Sequence, residues 1–197
     1  MEDLIALKYD RLRFSDDEFY DFCTQNDNLK FEREPDGTIL IMPNTGGITG
    51  NLNFELNVEI GIWNRIAKTG KAFDSSTMFR LPSTAVRSAD VAWVANHRWE
   101  ALSVAQQTKF PPLCPDFVIE LMSNSDNLKE AQRKMEEDWI GNGCRLGWLI
   151  DPKNQQVYIY RPQQAVILIN TFDNPLLGED VLAGFVLDLK GLAGEGM

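Results

Sequence analysis

The sequence predicts a mixed α/β (α+β) fold: a mixed sheet flanked by helices, with additional β-hairpins. Three observations carry this. Short runs rich in Val, Ile, Tyr and Trp recur along the chain, among them RSADVAWVA, PDFVIELM, RLGWLID and QQVYIYRP. Segments with helical spacing of apolar residues lie between them, chiefly Leu52, Leu56, Ile60 and Trp63. Turn-forming junctions place hairpins towards both ends of the chain.

Taken in order, Ser15-Asp-Asp-Glu18 is a capping box, so a helix is expected from Asp16 to about Gln25. LKFERE and TILIMP follow, joined through Pro35-Asp36-Gly37, and read as a hairpin. NTGGITGN lacks the lysine and spacing of a phosphate loop. It is expected to turn the backbone into a helix over about 49–68. Short strands are expected near 71–74 and 78–81, then a strand at 89–95, and a short helix and loop over 97–109. A strand at 116–122 leads through SNSD into a helix of about 127–142, ended by Gly141-Asn142-Gly143. RLGWLID forms the next strand at 145–151, QQVYIYRP and QAVILINT a second hairpin, and GFVLDL closes the sheet. No repeat, linker or low-complexity tract divides the chain. One domain is expected over 1–197, with its core at about 15–190.

Composition narrows the function. At 44% apolar and 24% charged residues, the 197-residue chain is of ordinary globular type. It has no run of about 18 apolar residues, so no membrane partner is expected. The start MEDLIALKYDRLRF has no signal-peptide pattern, and a cytoplasmic location is expected. Cys23, Cys114 and Cys144 are widely spaced and the only histidine is His97. That argues against a structural zinc site and a Cys-His or Ser-His dyad, and suits buried free thiols. The net charge of −10 argues against nucleic-acid binding at first sight. Its distribution changes that. Residues 1–36 hold 5 Lys+Arg against 11 Asp+Glu, residues 163–197 hold 1 against 5, and residues 37–162 hold 13 of each. A polyanion can approach the neutral middle.

Two strands of that middle carry an acid inside an apolar run. Side chains on a strand alternate faces, so Phe117, Ile119 and Leu121 point one way and Asp116, Val118, Glu120 and Met122 the other. In RSADVAWVA, Asp90, Ala92 and Val94 lie opposite Val91 and Trp93. A buried carboxylate without a partner costs several kcal/mol, so it is paired, protonated or bound to metal. The plainer reading pairs Asp90 or Glu120 with Arg87, Arg80 or Lys134. The sharper one has the acids converge on a hard-oxygen site for Mg²⁺ (or Mn²⁺), with a nearby lysine orienting or deprotonating a water or stabilising developing charge. Such parts suit metal-assisted phosphodiester hydrolysis. Asp116 reads as a strand end or supporting hydrogen-bond acceptor. Trp63, Trp93, Trp139 and Trp148 read as core, and Arg161 is a candidate for phosphate contact.

An acid on one strand, then thirty residues on a strand bearing Glu followed by a helix, resembles the PD-(D/E)xK nuclease superfamily. FDSSTMFRLP, RSADVAW, FPPLCPDFVIELMSNSD, RLGWLIDPKNQQVYIYRP and GEDVLAGFVLDL are more closely similar to a large bacterial family of restriction-endonuclease-like proteins, long catalogued as a domain of unknown function. The resemblance implies a restriction-endonuclease-like core and a Mg²⁺-dependent endonuclease acting on DNA; a homodimer is also expected. It makes Asp90 the first acid of the motif and Glu120 the second, both metal ligands, and Glu55 a helix acid that often adds a third carboxylate. The motif lysine belongs at Met122; the resemblance implies that Lys134, on the next helix, supplies it, with Lys129 as the fallback. Ala89 stands where the family has proline. KMEEDWIGNG is one residue longer than the family's usual run. One residue rotates an α-helix by roughly 100°, so Lys134 or the aromatic after it is expected out of phase. These departures, with the charge of −10, keep open a catalytically degenerate binding or assembly module, and a hydrolase of some other phosphoester.

Overall fold

The computed structural model describes residues 5–7 and 14–192. Most of the amino-terminal stretch MEDLIALKYDRLRF lies outside these. The described strands are β1 (Ile5–Leu7), β2 (Lys30–Arg33), β3 (Ile39–Met42), β4 (Gly70–Asp74), β5 (Phe79–Arg80), β6 (Val86–Arg87), β7 (Val91–Ala95), β8 (Phe117–Leu121), β9 (Leu146–Asp151), β10 (Gln156–Tyr160), β11 (Ile167–Ile169), β12 (Leu176–Leu177) and β13 (Val186–Leu187). The α-helices are α1 (Asp16–Gln25), α2 (Gly47–Ala67), α3 (Asn96–Glu100), α4 (Val104–Thr108), α5 (Leu128–Arg133) and α6 (Leu189–Leu192). Among the described residues no helix is long and apolar enough to cross a membrane.

The strands form a six-stranded sheet in the order β11-β10-β9-β8-β7-β4, a five-stranded sheet β1-β3-β2-β6-β5, and a β12-β13 ribbon. The larger sheet is mixed: β8 and β9 run parallel, and its other neighbours are antiparallel. A parallel pair needs a crossover, and the helical segment from Leu128 to Asn142 provides it. This is the α+β architecture expected, a mixed sheet with helices and hairpins.

The alternation of β8 divides the core. Phe117, Ile119 and Leu121 pack with Leu52, Leu56 and Ile60 of α2 on one face. Val118 and Met122 pack with Met135 and Trp139 of the crossover on the other. On β7, Val91 and Trp93 face α2, while Ala92 and Val94 face the crossover. A third cluster joins Phe19 and Cys23 of α1 to Phe31, Ile39 and Val86 of the smaller sheet.

The capping box at Ser15 forms in both directions, and the turn after β2 uses Gly37 at φ 91°, a conformation that favours glycine. Elsewhere the expected elements shift. The helix expected from 49 begins at Gly47, so part of the glycine-rich stretch is helical. The two short strands expected in succession, β4 and β5, join different sheets: β4 pairs with β7 of the larger sheet, and β5 pairs with the nearby β6 of the smaller. The 97–109 stretch holds two short helices. GFVLDL does not close the large sheet: among the described residues β13 pairs only with β12. The expected helix of 127–142 is not one α-helix. α5 gives way at Lys134–Trp139 to a wider turn with five-residue hydrogen-bonded spacing, then to a tight turn at Ile140–Asn142.

Candidate active site

Asp90 lies immediately before β7, against the end of its neighbour β8. Its Oδ2 accepts the Leu121 backbone N–H at 2.7 Å, and its Oδ1 accepts the Asn53 side-chain amide at 2.5 Å. Asn57 donates to the Asp90 carbonyl at 3.1 Å. The acid is thus fastened to β8 and to α2 in a fixed orientation. Burial pushes its pKa up; the Leu121 N–H and the Lys134 ammonium oppose the shift.

Glu120 is mid-strand on β8, and its side chain is 14% exposed. Its Oε1 accepts the Trp139 indole N–H at 2.7 Å and lies 3.1 Å from Lys134 Nζ. Burial raises its pKa to about 7, opposed by Lys134 and reinforced by the Asp90 and Glu32 carboxylates. Lys134 Nζ also contacts Glu32 Oε1 at 3.2 Å and the Ser88 carbonyl at 3.1 Å. Burial alone would lower the ammonium's pKa; Glu120 and Glu32 outweigh it and raise it. The two carboxylates thus favour the charged, ammonium form of Lys134.

Lys134 reaches Glu120 as expected, while Lys129 is exposed on α5 with only its backbone N–H in the Asn127 cap. Met122 is buried in the core, so the strand position of the motif lysine points into packing. Glu55 is not brought to Asp90. The face of α2 that touches Asp90 carries Asn53 and Asn57, and a residue two positions away lies roughly 200° around the helix. Asp116 is fully buried at the far end of β8, where it accepts the Ala95 N–H at 2.9 Å and pairs with Arg98 at 2.9 Å. Arg161 is taken up by Glu179 through two nitrogens. His97 is exposed on α3, and all three cysteines are buried and unpaired.

Sequence reasoning missed Glu32, a buried acid that β2 brings from the smaller sheet. Arg87, expected as a partner for Asp90 or Glu120, instead pairs with Glu32 and two further acids, and Arg80 pairs with Asp16. Arg87 is 1% exposed and faces Asp138 at 2.8 Å, Glu34 at 2.7 Å and Glu32 at 3.7 Å. Burial works against its charge, but the three carboxylates raise its pKa. Asn53 and Asn57 were also missed.

Glu32, Glu120, Lys134 and Asp126 line two adjoining cavities, of about 380 and about 480 Å³. Asp90 and Ser88 line the larger. Among the described residues no group of three or more His, Cys, Asp or Glu side chains is disposed to hold a metal ion. Two carboxylates remain, with oxygen donors only. That set fits Mg²⁺, which keeps several waters and uses one or two protein carboxylates, better than it fits zinc.

A solved structure described as "a putative nuclease belonging to DUF820", from Anabaena variabilis ATCC 29413, is similar in fold. The TM-score is 0.74 at 20% identity, with 91% of this chain and 97% of that chain covered. No curated protein matches the sequence. The family model Uma2, described as "Putative restriction endonuclease", matches residues 16–190, a span that takes in both strand acids, the crossover with Lys134 and nearly all of the described fold. The chain belongs to the Uma2 family.

Proposed function

We propose that the protein is a Mg²⁺-dependent endonuclease that hydrolyses phosphodiester bonds in DNA, acting as one domain. The observation that carries this is the meeting of Asp90 and Glu120, from adjacent strands, at one cavity beside the Lys134 ammonium. Asp90 and Glu120 would hold Mg²⁺ (or Mn²⁺), which would supply Lewis-acid polarisation and a lowered pKa of water. The rest falls to the chain. Leu121 N–H and Asn53 hold Asp90 in one orientation. Lys134 offsets charge on Glu120 and stands where it can stabilise negative charge developing on phosphate. Glu55 has no part in this arrangement.

A specific observation favours a second reading. The Lys134 ammonium already has Glu120, Glu32 and the Ser88 carbonyl as partners, as a purely structural ion pair would. On that reading the protein is a non-catalytic member of its family, a binding or assembly module.

The test is cleavage of duplex and single-stranded DNA in Mg²⁺, beside a panel of other phosphodiesters, by the wild type and Glu120→Ala. The expected outcome is metal-dependent DNA cleavage that falls by at least about 10²-fold in the variant, the range seen when one preorganised group is lost. Equal cleavage by both proteins removes Glu120 from the chemistry. No cleavage and no metal binding by the wild type leaves the second reading.

A further inference from the structure

Lys134 and Trp139 both reach Glu120 Oε1 from five residues apart. On a regular α-helix, residues five apart point about 140° away from each other, so a single carboxylate could not meet both. The wide turn at Lys134–Trp139 removes the conflict. Its hydrogen bonds reach back one residue further than usual: the Ile140 N–H is shared between the Glu136 and Met135 carbonyls. An extra residue is thereby taken up inside the helix. Met135, Asp138 and Trp139 stay buried, and Glu136 and Glu137 are the pair pushed out to solvent.

We infer that Trp139 is a positioning residue for Glu120, and that the wide turn serves to keep Trp139 and Lys134 on the same carboxylate oxygen. The inference rests on Glu120 as a ligand, the reading given above. The two donors have different effects. Lys134 compensates charge, whereas the neutral indole N–H orders the carboxylate without neutralising it. Both bonds fall on Oε1, which fixes the rotation of the carboxyl group and turns Oε2 away from the pair. The indole is fully buried, packed with Met135 and Leu149, so its donor stays in place. Lys134 Nζ lies 5.9 Å from the Trp139 ring centroid, which also ties the two side chains together. Burial of an indole does not by itself secure such a bond in this fold. Trp148 is equally buried, and its Nε1 has no partner among the described residues.

Two measurements test this. The first follows the Trp139 indole N–H by NMR, assigned by its loss in Trp139→Phe, and needs no metal. The resonance is expected to lie downfield, to exchange slowly and to move in Glu120→Ala; a resonance indifferent to that substitution overturns the inference. The second titrates Mn²⁺ by calorimetry into the wild type, Trp139→Phe and Trp139→Tyr, each first shown to be folded by circular dichroism. Trp139→Phe is expected to bind Mn²⁺ about tenfold more weakly, within the 10–100-fold range for partners that orient metal ligands. Trp139→Tyr, which restores a donor, is expected to recover part of the loss. Unchanged affinity in folded Trp139→Phe overturns the positioning role while leaving the metal site intact. If the wild type itself binds no Mn²⁺, the metal-site reading fails, and the indole resonance alone decides whether Trp139 orders Glu120.

Discussion

Arg87 is a buried cation facing three carboxylates, and its removal would take the cation from Asp138 and Glu34 and leave Glu32 with Lys134 alone. Breaking such a group from one side costs about 3–5 kcal/mol. Arg87→Ala is therefore expected to lose that much stability in urea denaturation; a loss under 1 kcal/mol would mean that water reaches Asp138 and Glu32. Lysine would not substitute well, since the guanidinium serves Asp138, Glu34 and the Arg33 carbonyl from separate nitrogens. The strand acids of the cleft were legible in the sequence because a strand has a period of two and apolar neighbours pin its phase. The α2 contribution was not. Leu52, Leu56 and Ile60 identify the buried stripe, but a stripe has two flanks. Glu55 lies on one flank and Asn53 and Asn57 on the other, and only the docking of α2 on the sheet decides which flank meets Asp90. Glu32 had no local signal, because it comes from another sheet.

At the scale of elements, the crossover helix shows how a sequence departure is absorbed. Read as an α-helix, its extra residue puts Lys134 and Trp139 out of phase; the wide turn keeps both on Glu120. Deleting Glu137, an exposed residue, is expected to convert that turn to regular α-helix. Lys134 and Trp139 would then stand four apart, about 40° from each other, and keep their contacts. Stability is expected to change by no more than about 0.5 kcal/mol, as for other surface changes, and Mn²⁺ affinity to stay near wild type. Loss of affinity in a folded deletion variant would show that the wider spacing itself is required. Hairpins were legible from turn chemistry, as at Asp36, whose Oδ1 accepts the Thr38 N–H at 2.9 Å. The separation of β4 from β5 and the departure of β13 were not, because which sheet a strand joins is decided by the tertiary fold and leaves no mark on local composition.

At the scale of the whole molecule, the cleft is a product of both larger sheets. Glu32 arrives on the smaller one, Glu120 on the larger, and Lys134 joins them from 102 residues beyond Glu32. Contacts across so long a stretch of chain form only after the loop-closure entropy has been met, and they delay folding more than they stabilise its early stages. If the cleft is completed only beyond the folding barrier, an ion that binds there encounters native molecules and not those still climbing. In stopped-flow urea jumps, Mn²⁺ is expected to slow unfolding in proportion to its occupancy and to leave the refolding limb where it was. Faster refolding in the presence of the ion would instead mean that the sheets meet early. On the expected outcome, the ion lengthens the lifetime of the native protein without hastening its birth.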